Sequence, residues 1–141
     1  MENNDSRWEQ RFKNYRKALS KLSEIAEGND RQFILKISEL ETEGIIQRFG
    51  YTFELAWKTL QDLLRSKGFV EISGPNPVIE QSFADGYISD GEKWKEMKKS
   101  RELTSHTYDI EIANTIAVDI IEKYYELFKI LEKRLEKEIK I

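Results

Sequence analysis

The sequence predicts an all-α protein, an up-and-down helical bundle built on three long helices. Three observations carry that prediction. Apolar residues recur in alternating steps of three and four over long stretches, the spacing that lines one side of a helix. Charged residues make up 35% of the chain, and there are only two prolines. True punctuation is confined to Ser73-Gly74-Pro75-Asn76-Pro77. A chain of 141 residues is long enough to bury a real core and makes a single domain, residues 1–141, the default.

The first helix is expected over residues 5–27. Trp8, Phe12, Tyr15, Leu19, Leu22 and Ala26 form its apolar stripe, and Arg11, Lys13, Lys17, Lys21 and Glu24 its wet face. Gly28-Asn29-Asp30 reads as a stop. Residues 31–43 are ambiguous, either a short helix or the start of the next one, with Gly44 as a bend. Residues 45–67 make the strongest helix of the first half. Its two adjacent stripes, Ile45-Phe49-Ala56-Leu60-Leu63 and Ile46-Phe53-Trp57-Leu60-Leu64, bury it on two sides, as a central bundle helix or at a dimer contact. Gly50 inside it costs roughly 1 kcal/mol relative to Ala, a cost offset by close approach of a neighbouring helix. Gly68 ends it.

Asn76 fits an N-cap with Pro77 at the first helical position. Ser89-Asp90-Gly91-Glu92 has the form of a capping box, starting a helix with Trp94 and Met97 facing inward. Four residues further along that stripe stands Arg101, which puts a guanidinium on an apolar face, where it needs an anionic partner or ligand. Asp109 is the expected N-cap of a last helix roughly 45 Å long. Its stripe is Ala113, Ile116, Ala117, Ile120, Tyr124, Leu127, Leu131 and Leu135. Residues 132–140, mostly charged, are expected to fray.

Composition narrows the function. The net charge of −3 offers nucleic acid no global attraction, so any such binding must be local. Without cysteine there are no disulfides and no thiolate metal sites, and no metal or cofactor is expected. No apolar run approaches the ~20 residues of a membrane span. The start, Met1-Glu2-Asn3-Asn4-Asp5, lacks the basic and apolar pattern of a secretory leader. A cytoplasmic protein that does not meet the membrane is the expectation.

Chemistry concentrates in Ser100-Arg101-Glu102-Leu103-Thr104-Ser105-His106-Thr107-Tyr108-Asp109, around the only histidine. Arginine binds a phosphate through parallel N–H donors, and histidine exchanges a proton near neutrality. On a continuous helix Arg101 and His106 would stand about 140° apart. They converge only if the helix breaks between them, and Leu103-Thr104-Ser105 permits a break. Lys93, Lys95, Lys98 and Lys99 make the sole basic cluster, with Lys95, Lys98 and Lys99 as candidate phosphate contacts. The bland alternatives are a surface or capping histidine, an arginine paired with a glutamate of its own chain, and an ordinary solvated lysine face.

Arg101-x4-His106-x-Tyr108 resembles the Arg-x4-6-His signature of the HEPN (higher eukaryotes and prokaryotes nucleotide-binding) superfamily, in the Arg-x4-His-x-Tyr form of HepT-like proteins. Glu43-Gly44-Ile45-Ile46-Gln47-Arg48-Phe49, running into Thr52-Phe53-Glu54-Leu55-Ala56-Trp57-Lys58, resembles the second helix of the nucleotidyltransferase substrate-binding branch. The resemblance implies a four- to five-helix HEPN-like bundle that dimerises, or assembles further, through its long helices. It implies a partner, a minimal nucleotidyltransferase of the MntA type encoded nearby, and an RNA or nucleotide ligand. In the toxin–antitoxin branch such proteins are metal-independent ribonucleases, which would make Arg101 and His106 catalytic. The partner silences them by transferring AMP to the motif tyrosine, here Tyr108. The other implied role is a non-catalytic subunit that binds substrate for the nucleotidyltransferase. Glu102, where a short polar residue is usual, departs from the pattern and is placed to pair with Arg101.

Overall fold

The computed structural model describes residues 4–106 and 108–139. The order is α1 (Asn4–Ala26), α2 (Arg31–Lys36), α3 (Glu39–Ser66), α4 (Pro75–Ala84), α5 (Gly91–Leu103), a 3-10 turn (Thr104–His106), α6 (Ile110–Asp119), a π turn (Ile120–Tyr124) and α7 (Tyr125–Glu136). There is no strand among the described residues, so the all-α bundle is borne out. Residues Met1–Asn3 of the expected cytoplasmic start, Thr107 of the motif and Lys140 of the charged tail lie outside the described residues.

Helix α3, 28 residues and about 42 Å long, is the central post. α1 runs along it, and α4, α5 and α6 pack on its other sides, which is why both of its apolar stripes are buried except at Trp57. Trp8, Phe12, Tyr15, Leu19, Leu22 and Ala26 of α1 are all buried, as the spacing required. Their partners include Phe49, Phe53 and Leu60 of α3 and Phe128 of α7, in one continuous core. Trp57 departs from its expected stripe. It is only partly buried, and its indole N–H donates to Glu54 at 3.1 Å.

Several helix starts differ from the sequence reading. The ambiguous stretch is both things at once: a short α2 capped by Asp30, then α3 starting six residues earlier than expected. Ser38 provides that start through a capping box. Its hydroxyl accepts from the Glu41 N–H at 3.1 Å, and the Glu41 carboxylate accepts from the Ser38 N–H at 3.0 Å. Gly44 bends nothing and lies within α3. At Ser89-x-x-Glu92 the expected box does not form. Asp90 takes the cap, accepting from the Lys93 N–H at 3.1 Å, because the helix begins one residue later, at Gly91. Gly74, not Asn76, caps α4. Both prolines then fall in the first turn, where their missing N–H groups have no helical partner to lose.

The last helix is interrupted. The Tyr125 N–H donates to the Ile120 carbonyl, five residues back, and this π turn brings adjacent residues inward. Tyr124 shares a hydrogen bond of 2.7 Å with Ser100 in α5, while the Tyr125 hydroxyl donates to Glu27 and accepts from the Ser23 hydroxyl of α1. Arg11, expected on the wet face of α1, instead pairs with the buried Asp62 at 3.0 Å. The charged tail does not fray at residue 132. α7 continues to Glu136, and Glu138 pairs with Arg134 and Lys67.

Candidate functional site at the end of the fifth helix

Trp94 and Met97 are buried, and Arg101 continues their stripe to the edge of the core. Its side chain is half-buried, with Nε sealed from solvent and without a hydrogen bond among the described residues. The guanidinium lies on the backbone of α3 at Gly50. A Cβ built on that glycine would stand 3.2 Å from Arg101 Cζ and 3.4 Å from Nε. The close approach that the mid-helix glycine allows is therefore made by this arginine side chain. Glu54, one turn further along α3, places a carboxylate oxygen 3.5 Å from Arg101 Nε. That distance makes an ion pair, not a well-formed hydrogen bond. On the other side, Nη1 donates to Thr104 Oγ1 at 2.9 Å, and Thr104 Oγ1 donates to the Arg101 carbonyl at 2.6 Å.

Thr104 also ends the helix. Its hydroxyl and its backbone N–H both donate to the Arg101 carbonyl, and the chain passes into the 3-10 turn that carries His106. The break needed to bring Arg101 and His106 off opposite faces is therefore present. No hydrogen bond joins the two among the described residues. His106 is exposed, and its Nδ1 lies 3.5 Å from the Tyr108 hydroxyl. Tyr108 is 85% exposed. Asp109 caps α6, accepting from the Glu111 N–H at 3.0 Å, as expected.

Two cavities flank this corner. One, of about 300 Å³, is lined by Glu43, Ile46, Gln47, Gly50, Tyr51, Arg101 and Thr104. The other, of about 180 Å³, is lined by Glu39, Thr42, Glu43, Tyr108, Ile110 and Ala113. Glu43 belongs to both. Thus α3 supplies half of the site, through residues 43, 47, 50, 51 and 54. The signal was present in the sequence as a non-apolar stripe at helical spacing on an otherwise buried helix.

Of the lysines, Lys98 is held by Glu102 at 2.6 Å, and Lys95 lies 3.9 Å from both Glu80 and Glu92. Lys99 is exposed and makes no ion pair among the described residues. Glu102 thus neutralises Lys98, and the carboxylate beside Arg101 is Glu54. No described helix is long and apolar enough to cross a membrane.

Comparison with known proteins bears on the family and the fold. Residues 10–137 match the family model described as "Nucleotidyltransferase substrate binding protein like". The chain belongs to that family. A curated relative, the probable ribonuclease HepT of Haemophilus influenzae, is 29% identical over 94 residues, 64% of this chain and 64% of the relative. The chain is thus matched to a little under two thirds of that protein. A crystal structure of a Thermus thermophilus protein, 35% identical, superposes with a TM-score of 0.74 over 86% of this chain and 98% of the other. A Haemophilus influenzae structure, described as revealing the fold of a substrate binding domain of a nucleotidyltransferase, has a TM-score of 0.67. It is 22% identical and covers 94% of this chain and 98% of its own, a likeness of fold.

Proposed function

We propose that this protein is the HepT-like partner of a minimal, MntA-type nucleotidyltransferase and acts as a metal-independent endoribonuclease. The observation that carries the reading is an anchored arginine on one side of a helix break with an exposed His106–Tyr108 couple on the other. Arg101 holds the scissile phosphate. His106 takes the proton of the adjacent ribose 2′-hydroxyl as its oxygen attacks phosphorus. The P–O5′ bond breaks, a proton passes to the leaving oxygen, and a cyclic phosphate remains. Two such sites face each other in a homodimer or higher assembly formed through the long helices. Lys99, and Lys95 and Lys98 once RNA phosphate competes with their glutamates, extend the phosphate contacts.

Tyr108 is the off switch. The partner would catalyse attack of the phenol oxygen on the α-phosphorus of ATP, releasing pyrophosphate and leaving AMP on the tyrosine. The exposure of Tyr108 supports its access to a second protein. The adduct would set a bulky anion beside His106 and compete with RNA for Arg101. Co-expression with the neighbouring nucleotidyltransferase, followed by intact-mass and peptide analysis, tests this. One AMP per chain at Tyr108, absent in Tyr108→Phe, is expected. An unmodified chain recovered with an active partner would overturn it.

A second reading has its own support in the family description: a subunit that binds nucleotide or acceptor for the partner without chemistry of its own. The absence of a direct Arg101–His106 bond among the described residues favours it. It requires nucleotide binding that depends on Arg101, with no RNA cleavage.

A further inference from the structure

The cavity against Arg101 is shaped for more than a phosphate. An anion alone would gain the guanidinium but meet Glu54 and, at the rim, Glu43. Glu43 is exposed and makes no hydrogen bond or ion pair among the described residues, so its carboxylate is open to donors from a ligand. One turn along, Gln47 Nε2 donates to the Tyr51 hydroxyl at 2.8 Å. That bond holds the Tyr51 ring beside the cavity while the residue stays 59% exposed, and the Gln47 carbonyl oxygen has no partner among the described residues. From Glu43 to Gly50, where the guanidinium lies, α3 rises about 10 Å. This matches the reach from a nucleotide's phosphate to the far edge of its base better than the size of a lone phosphate.

A carboxylate is acceptor-only and binds best to two parallel donors on adjacent atoms. Among the four RNA bases only guanine presents that pair, its N1–H and N2–H₂. Adenine would turn its N1 lone pair against the carboxylate, and uracil and cytosine offer a single donor atom each. Aromatic faces stack unpaired bases with little sequence preference, so Tyr51 supplies affinity while Glu43 and Gln47 supply the choice. We infer that this cavity is a guanine-reading subsite: Arg101 takes the phosphate, Tyr51 stacks the base and Glu43 pairs with its Watson–Crick edge. The inference rests on the reading of Arg101 as a phosphate holder, but not on any cleavage by this protein.

The test is calorimetric titration of the unmodified full-length chain with GMP, IMP, AMP, CMP and UMP. Short single strands that differ only in G or A at one position form a second arm. GMP should bind about tenfold more tightly than AMP, with IMP between them. Glu43→Gln should bring GMP to the affinity of AMP with the melting temperature unchanged, since Glu43 is exposed and unpaired among the described residues. Tyr51→Ala should weaken all five. If only the strands show the preference, the subsite belongs to RNA; if the mononucleotides show it too, a free nucleotide suffices. Equal affinity for the five together with no preference for G over A in the strands, or a guanine preference that survives Glu43→Gln, would overturn the inference. A guanine preference without RNA cleavage would sink the ribonuclease reading and leave this one standing. Cleavage without a guanine preference would do the reverse.

Discussion

Replacing Gly50 by alanine separates the stability of the bundle from the working of its arginine. Gly50 lies inside α3 with helical neighbours on both sides. In that position the exchange is worth up to about 1 kcal/mol in favour of the helix. Against this stands one contact. The new Cβ would meet Arg101 Cζ at 3.2 Å, Nε at 3.4 Å and Nη1 at 3.5 Å. The first is a few tenths of an ångström too close, and the others are at the edge of ordinary contact. The group that must give is the end of a flexible, half-exposed side chain, so it moves outward and the core does not. Its movement strains the 2.9 Å bond to Thr104, which orients the guanidinium. A charge-assisted hydrogen bond of this kind is worth roughly 1.5–3 kcal/mol. Losing about half of that at the ligand corresponds to roughly a tenfold weaker phosphate grip. Gly50→Ala should therefore melt at the same temperature as wild type, or a few degrees higher, while binding nucleotide about tenfold more weakly. Thermal unfolding and titration on one preparation check both signs. A lowered melting temperature would show that the cradle is part of the core, and unchanged binding would show that the orientation of Arg101 is immaterial.

Other perturbations follow the same logic. Glu54→Gln removes the carboxylate 3.5 Å from Arg101 and should strengthen phosphate binding several-fold while loosening its geometry; weaker binding of simple phosphates would refute this. Arg11→Met strands the buried Asp62 carboxylate. It should cost about 2 kcal/mol, less than a fully buried pair because Arg11 is partly exposed, and Arg11→Met with Asp62→Leu should recover much of it in chemical denaturation. Ser38→Ala removes the capping box of α3 and should cost about 1 kcal/mol. Backbone and side-chain hydrogen bonds from Ser38 hold the Glu41 carboxyl below its usual value. That contribution is present above the ordinary carboxylate range and lost as pH falls through it; Ser38→Ala keeps the backbone N–H bond, the larger cause, and should flatten the acid side of the stability curve only in part. Burial, and then the charge of Glu132, push the Tyr15 phenol up. Its contribution is complete below pH about 10 and lost above it. Tyr15→Phe should lose about 1 kcal/mol at neutral pH with its bond to the Phe128 carbonyl, and lose less stability than wild type at alkaline pH.

Helix stripes were the most legible feature of the sequence, because burial of a repeating apolar face decides these helices more than their ends do. All six residues of the α1 stripe and all eight of the last-helix stripe are buried. Caps were less legible because nearby residues compete for them over one or two positions. Asp90 displaces Ser89, and Gly74 displaces Asn76. The box at Ser38 was as visible in the sequence as the one expected at Ser89, but it lay in a stretch without a clear period. The π turn left no mark, since one extra residue shifts the stripe by no more than the usual irregularity of three and four. At the site, the helix break and the burial of Arg101 were readable from Trp94, Met97 and Thr104. The partners of Arg101 were not, because Gly50 and Glu54 are about fifty residues away and meet it only through the packing of α5 on α3. Glu102 looked like a partner by adjacency, yet on a helix the next residue points away, and Lys98, four residues back, takes it.

The central claim turns on whether this corner cuts RNA. The most direct measurement is incubation of a mixed RNA pool with purified, unmodified protein in the presence of EDTA, beside His106→Ala and Arg101→Gln shown to be folded. Cleavage by the wild type alone, leaving cyclic-phosphate ends, is the expected result. No cleavage by wild type with Tyr108 bare by intact mass, or equal cleavage by all three, would contradict it. The first of those outcomes would leave the protein as the nucleotide-binding subunit of its partner.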